Sequence, residues 1–327
     1  MQAKLPAQPP RVSVVTPAYN GERFLAECID SVIAQTYNNW ELVVIDNAST
    51  DATPDIISAY RERDARIRGH RNDATVSVIE NHNVAVRQMT PGAEFCKVLH
   101  VDDLMRPDCL QRMVAVADRH PSAGMIGAWA QWGERTMCRI EPEHESFFTG
   151  RDVARRALLG EIYPFLSPSC LLLRVDVLAR RDAFYRESGL HADVEAAYEI
   201  LRETDYAIVQ AVLTTIRKHE DSVTSASAKP MNTLLASNWQ LFDRFAPEFI
   251  SRTEYQEREA EHLERYYKFL ARSLIEGRSR EFWKFHTDAL AAGGHSLNRL
   301  RVTRTALAQT FRNPKTNVKR ILRRAQA

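Results

Sequence analysis

From Val12 to Trp132 the chain alternates short apolar runs with stretches in which apolar residues recur every three or four positions. The first run, Val12 to Thr16 (VSVVT), is β-branched and closes at Pro17, as a buried strand running into a turn does. Behind it, Phe24, Leu25, Cys28, Ile29, Val32 and Ile33 fall on one helical face, leaving Glu22, Arg23, Glu27 and Asp30 toward solvent. The unit then repeats. Glu41 to Asp46 (ELVVID) reads as a strand, NASTD as turn and cap, and Ala52 to Arg63 as a helix with Ile56, Ile57 and Tyr60 inward. A weak strand near Ile67, a helix over Asn83 to Met89, a strand from Phe95 to Val101, a helix from Asp108 to Arg119 and a strand from Gly124 to Trp132 extend the series. Strands separated by helices pair in parallel, so the pattern predicts an α/β fold with a mostly parallel central sheet flanked by helices.

Beyond Gly150 the rhythm loosens into a helix, the Pro-interrupted stretch YPFLSPSCLLLR, a helix over Ala192 to Arg202 and a strand over Ala207 to Thr214. From about Lys229 the chain is helical and charged, with LERYYKFLARSL as its clearest amphipathic segment. The expected division is a short disordered start over residues 1–10, an α/β domain over 11–228 with halves at 11–120 and 121–228, and a helical, basic region over 229–327. A length of 327 residues at 44% hydrophobic and 26% charged content accommodates that plan.

Charge changes the picture in one place. The formal net charge of +2 lacks the basic signature of a nucleic-acid binder, so no nucleic acid is expected as partner. Yet no acidic residue follows Asp288, while Arg299, Arg301, Arg304, Arg312, Lys315, Lys319, Arg320, Arg323 and Arg324 do. The five cysteines are odd in number and widely spaced, without zinc-site pairing, and fit a reducing cytosol. The opening MQAKLPAQPP lacks the apolar core of a signal peptide, and no run approaches the length of a membrane span, so the expected location is cytoplasmic.

In an open α/β sheet, ligands gather beyond the carboxyl ends of the strands. Three such ends are polar here: Thr16-Pro17-Ala18-Tyr19-Asn20, Asp46-Asn47-Ala48-Ser49-Thr50-Asp51, and His100-Val101-Asp102-Asp103. Two adjacent carboxylates are costly to hold together unless a cation or protons compensate them, and Mg²⁺ or Mn²⁺ suits hard oxygen ligands. Read alone, Asp102 and Asp103 serve equally to cap the helix after Pro107 or to face solvent. Asp46 and Asn47 offer groups that read a nucleobase edge, or that cap the helix beginning near Ala52. Tyr19 is placed to stack on a base or simply to pack. Neither G-x-G-x-x-G after the first strand nor a P-loop is present, which removes two common nucleotide binders.

The string VSVVTPAYNGERFLAECIDSVIAQTYNNWELVVIDNASTDAT, followed by NDATVSVIENHNVAVRQ, VLHVDDLMRP, LHADVEAAYEIL and VLTTIRKHEDSVT, resembles glycosyltransferase family two, inverting enzymes of the GT-A fold. The resemblance covers Arg11 to Thr224. It implies nucleotide-donor contacts at Thr16, Pro17, Tyr19, Asp46 and Asn47, a base or phosphate contact at Arg71, and a divalent metal (Mn²⁺ or Mg²⁺) on Asp102 and Asp103, Asp102 also touching the donor. It further implies Asp193 as general base, with Glu195 as second choice. Arg217 and His219 are candidates for diphosphate contact or for surface charge on a loop, and Ser167, Pro168 and Ser169 for lining an acceptor pocket. The chain departs from the family with Asn47 where a second Asp is common, and with His100 where an Asp often opens the metal motif. That histidine is read as packed or exposed beside the motif rather than as a ligand.

The function so implied is transfer of a sugar from a nucleotide-diphosphate donor to a hydroxyl of a saccharide or lipid-linked acceptor, in cell-surface polysaccharide or glycolipid synthesis. Two rivals share the same residues: a sugar nucleotidyltransferase, which would need a Gly-rich basic loop where PAYNGE stands, and a nucleotide-sugar-binding protein without turnover. The basic C-terminal region adds the hypothesis of peripheral contact with anionic lipid on the inner face of the membrane, against a solvated face or an oligomer contact.

Overall fold

The structure, a computed structural model, describes residues 11–181, 183–187, 191–219 and 231–312. The expected disordered start, the expected boundary at 228/229 and the basic residues from Lys315 onward lie outside the described residues. Two compact units divide the chain, Met1–His219 and Glu220–Ala327.

The first unit is built on strands β1 (Val12–Ala18), β2 (Trp40–Asp46), β3 (Ile67–Arg71), β4 (Phe95–Val98), β5 (Leu104–Met105), β6 (Ala123–Trp132), β7 (Arg135–Met137), β8 (Phe147–Phe148), β9 (Leu171–Arg174) and β10 (Asp205–Ile216). Helices α1 (Leu25–Ile33), α2 (Thr53–Arg63), α3 (Val78–Arg87), α4 (Cys109–Arg119), α5 (Gly150–Leu159), α6 (Val175–Leu178) and α7 (Ala192–Leu201) connect them. The sheet runs β3-β2-β1-β4-β9-β6-β10-β5, with β7 on β6 and β8 on β10. Every residue of β1 and β2 is buried, the near-continuous apolar run of strands covered on both faces. Leu25, Cys28, Ile29 and Val32 of α1 and Leu110, Met113 and Val114 of α4 share the core with Val12, Val14, Leu42 and Val44.

The half β3-β2-β1-β4 is parallel throughout, as the alternation predicts. The other half is mixed. β9 runs antiparallel between β4 and β6, and β5 antiparallel against β10. Neither short strand stands out in sequence, because two to four apolar residues carry no periodicity that separates strand from helix.

Three expected boundaries move, each for a local reason. β1 continues through Pro17 to Ala18, in register with Ile45 and Asp46. The Val15 carbonyl accepts from Leu99 N on the β4 side, so the parity of the strand turns Pro17 to that side too, beyond the last β1–β4 pair, where a missing N–H costs no ladder bond. α3 starts at Val78 rather than near Asn83, because Ser77 caps it by accepting from Glu80 N at 3.0 Å. β4 stops at Val98, and the chain turns where Asp103 N donates to the His100 carbonyl at 3.0 Å.

The second unit consists, among the described residues, of α8 (Thr233–Phe249), α9 (Arg252–Glu276), α10 (Arg280–Ala292) and α11 (Arg299–Arg312). Trp239, Tyr266, Tyr267, Leu270, Phe282, Leu290 and Val302 form its own core. A capping box joins Ser251 to Glu254 at the start of α9, and Gly277, at φ 73°, closes its end in the left-handed conformation that glycine adopts freely. No described helix is long and apolar enough to cross a membrane.

Candidate active site

The carboxyl ends of β1, β2 and β4 bring the predicted residues to one edge of the sheet. At β1, Thr16 is buried in the strand, and Tyr19 just beyond it leaves 53% of its surface exposed. Asn20 turns the chain with φ 48°, and its Oδ1 accepts from Thr50 N at 2.9 Å, while Asn20 N donates to Ser49 Oγ at 2.9 Å. These bonds fix the β1 loop to the β2 loop. At β2, the buried Asp46 accepts from Ser49 N at 2.9 Å and pairs with the Arg71 guanidinium, which also donates to the Ser49 carbonyl at 3.0 Å. Asn47 is committed to its neighbours: its Oδ1 accepts from Asn72 Nδ2 and Val76 N, and its Nδ2 donates to the Val76 carbonyl at 3.0 Å. Asp46 and Arg71 are thus brought together, while Asn47 holds the segment that leads into α3.

Past β4, Asp102 is half-buried and Asp103 only 2% exposed. Burial first, and then the neighbouring Asp102, push the Asp103 carboxyl well up from its ordinary range. Asp103 Oδ1 accepts from Arg217 N at 3.3 Å, but its Oδ2 has no hydrogen-bond partner among the described residues. Asp102 Oδ2 meets His219 Nε2 at 2.8 Å. Ligand atoms of His100, Asp102 and Asp103 all lie within 4.8 Å of one another. A buried, partnerless carboxylate oxygen beside a second carboxylate and an imidazole fits a divalent cation, since a cation removes both the repulsion and the unsatisfied acceptor.

Arg217 extends Nη1 to Glu27 Oε2 at 2.7 Å and sits over the Phe24 ring at 5.0 Å, while its Nε and Nη2 have no hydrogen-bond partner among the described residues. His219 packs on the same ring at 4.7 Å. Both residues therefore stand beside the carboxylate pair rather than on a remote loop.

Asp193 opens α7, where the helix N-terminus favours a negative side chain. Burial raises its carboxyl to about 6, against the pull of the Val194 amide and of the His100 imidazole. Asp193 shares a small, mostly apolar cavity with Ser167, Pro168, Phe165 and Tyr185. Ser169 does not line it: fully buried, it accepts from His100 N at 3.0 Å through Oγ, and its carbonyl accepts from Lys97 and Thr214. Glu195, also buried, is not among the residues lining that cavity.

Two contributors escaped the sequence reading. Lys97 is fully buried in β4, its Nζ on the Ser169 carbonyl at 2.5 Å, and its charge opposes the upward shift of Asp103. A lone lysine inside the apolar run FCKVL was the available signal. His82 on α3 brings Nε2 to 3.2 Å from His100 Nε2, and burial, with His100 second, pushes it down to about 3. It lies in a helix whose sequence gives no hint of that contact.

The family model described as glycosyl transferase family 2 matches residues 13–181. Among curated proteins, uncharacterized protein y4gI of Sinorhizobium fredii is 39% identical over 126 residues, 36% of this chain and 13% of that protein. Putative glycosyltransferase EpsE of Bacillus subtilis is 34% identical over 119 residues, 36% of this chain and 42% of that protein. The chain therefore spans less than half the length of these relatives. Among solved structures, Staphylococcus aureus TarS 1-349 in complex with UDP-GlcNAc superposes with a TM-score of 0.66 at 18% identity, over 95% of this chain and 88% of that one. The mannosyltransferase PcManGT from Pyrobaculum calidifontis, in complex with GDP-Man and Mn²⁺, gives a TM-score of 0.56 at 17% identity, over 98% and 88%.

Proposed function

The chain belongs to glycosyl transferase family 2 and has the GT-A fold, and from that premise we propose that it is an inverting glycosyltransferase moving a sugar from a nucleotide diphosphate to an acceptor hydroxyl. One observation carries the reading: a carboxylate pair past β4, Asp102 half-buried and Asp103 buried with an oxygen unsatisfied among the described residues, and an elevated carboxyl, Asp193, within electrostatic reach of the adjoining His100.

The roles follow from chemistry. Tyr19 and the Asp46–Arg71 pair form the nucleoside side of the site, the ring stacking on the base and the ion pair fixing the loop beneath it. Asp102 and Asp103 would hold Mn²⁺ or Mg²⁺, which when bound neutralises charge on the departing diphosphate. Arg217, whose Nε and Nη2 have no partner among the described residues, is assigned to the same phosphates. Asp193 takes the proton from the acceptor hydroxyl as that oxygen attacks the anomeric carbon, and the bond to the diphosphate oxygen breaks on the opposite face. A carboxyl near 6 is ionised at neutral pH yet more basic than an ordinary aspartate, which suits that task. The name of one relative, the putative teichuronic acid biosynthesis glycosyltransferase TuaG of Bacillus subtilis, 31% identical over 109 residues, supports a saccharide acceptor in cell-surface polymer synthesis, and the UDP-GlcNAc held by TarS supports a nucleotide-sugar donor.

The test is incubation with a panel of nucleotide sugars, Mn²⁺ or Mg²⁺, and saccharide and lipid-linked acceptors. Release of nucleoside diphosphate is expected. Pyrophosphate release would make the chain a nucleotidyltransferase, and donor binding without turnover across the acceptor panel would leave a binding protein.

We further propose that α11 rests on the cytoplasmic face of an anionic membrane. Its Leu300, Leu307 and Phe311 are exposed at spacings of seven and four, a single stripe, with Arg299, Arg301 and Arg304 exposed around it while Val302 and Ala306 face inward. Pelleting with anionic but not neutral vesicles is expected, and an L307D/F311D variant that pellets equally well would overturn it.

A further inference from the structure

We propose that His100 is a nitrogen ligand of the cation, held in the required tautomer by His82, so that the site is a mixed nitrogen and oxygen set; this rests on the metal-assisted reading of the site given above.

The argument is a chain of hydrogen-bond parities. His82 Nδ1 lies 2.7 Å from the Val78 carbonyl. A carbonyl only accepts, so the proton of a neutral His82 sits on Nδ1 and its Nε2 offers a lone pair. That Nε2 is 3.2 Å from His100 Nε2, with the two rings edge to face at 88°. Two lone pairs do not face each other at this distance, so His100 Nε2 carries the proton and donates it. In the neutral form that a metal ligand must take, His100 then keeps its lone pair on Nδ1.

That lone pair lies 3.9 Å from Asp103 Oδ2, the oxygen without a hydrogen-bond partner among the described residues. The separation is too long for a hydrogen bond. Two donors bound side by side to one ion about 2.1 Å away stand roughly 3 Å apart, so a contraction of about 1 Å brings both into one coordination shell. A ligating histidine characteristically donates its other ring N–H to a nearby acceptor, the part that His82 Nε2 plays here. Around His100 the backbone is already fixed, since its N–H donates to Ser169 Oγ at 3.0 Å. Nitrogen ligation favours Mn²⁺, Co²⁺ or Zn²⁺ over Mg²⁺.

The test uses Mn²⁺ itself as probe, with and without a nucleoside diphosphate, on the full chain. Electron spin-echo envelope modulation of bound Mn²⁺ should show coupling to an imidazole nitrogen. His100→Asp should abolish the coupling, keep Mn²⁺ bound and narrow its advantage over Mg²⁺ in competition. His82→Phe should weaken Mn²⁺ binding about 10- to 100-fold, and His82→Gln, whose amide oxygen can accept from His100 Nε2, should restore most of it. Bound Mn²⁺ without nitrogen coupling overturns the ligand assignment and leaves the carboxylate site standing. Coupling that survives His100→Asp also overturns it, pointing to His219. No Mn²⁺ bound under either condition sinks both this assignment and the metal-assisted reading.

Discussion

Buried ionisable groups meet opposite fates in the two units. In the helical unit burial is resolved by neutrality: His262 and His286 are both pushed down to about 4, chiefly by burial. His286 spends one ring nitrogen on the Tyr266 hydroxyl and the other on the Met231 carbonyl, each at 2.8 Å. At the carboxyl edge of the sheet burial is left unresolved. Asp103 and Asp193 are driven upward, Lys97 is fully buried beside them, and Arg217 keeps two nitrogens without partners among the described residues. Among the described residues, neutral atoms without a partner occur in the helical unit too, at Trp239 Nε1 and Ser273 Oγ. Charge, rather than the tally of unsatisfied atoms, therefore separates the regions. Interior charge costs stability, and the unpaired charge at this edge is what the proposed metal and donor would complete.

The largest way to sharpen this contrast is Asp193→Asn. Loss of a general base predicts a fall in turnover of about 10²- to 10⁴-fold with donor affinity unchanged, read by nucleoside diphosphate release and calorimetry. Wild-type turnover should rise with pH and level off above about 6. The same substitution should stabilise the fold. A carboxyl moved from 3.8 to about 6 binds its proton more tightly folded than unfolded, so its ionisation costs stability as pH rises through that window, at most about 3 kcal/mol above it. Urea unfolding at pH 8 should show the gain and at pH 3 none. A variant destabilised at pH 8 would mean that Asp193 is a structural anion after all.

Next in size is His286→Ala, which strands a buried hydroxyl and a carbonyl and should cost about 1–3 kcal/mol without changing the pH profile of turnover. The pH dependence runs the other way from that of Asp193. A neutral, buried histidine supports the fold fully above about 6.5, and that support is lost as pH falls through about 4. Flattening of acid unfolding in the variant is the expected readout.

The parallel half of the fold and part of the candidate site are legible in the sequence. The parallel half of the sheet declares itself because β1 and β2 are buried on both faces and α1 and α2 carry their apolar stripes at helical spacing. Asp102 and Asp103 stand out as adjacent carboxylates at a strand end, whereas Asp193 is singled out only by the family resemblance. What stayed hidden is long-range pairing. The Asp46–Arg71 contact joins residues 25 apart, and His82 meets His100 across 18. Such contacts arise only when the register of parallel strands is set, and no local pattern encodes register. β5 and β9 were missed for a related reason: each is a strand only because a partner edge is waiting for it.

The smallest predicted effect tests whether the two units respond separately. Ser251 Oγ accepts from Glu254 N at 3.3 Å and Glu254 Oε2 accepts from Ser251 N at 2.8 Å, closing the start of the 25-residue α9. Ser251→Ala removes one half of that exchange and should cost about 1 kcal/mol. Trp239 and Trp283 lie in or against the core that α9 helps to form, so their fluorescence reports on it during urea unfolding. Ser251 carries no charge and lies far in sequence from every donor-site candidate, so donor affinity and turnover of the folded protein should stay as they were. A parallel loss of donor affinity would show that the helical unit helps to shape the nucleotide site, and the contrast between a charged edge and a self-contained helical core would have to be redrawn.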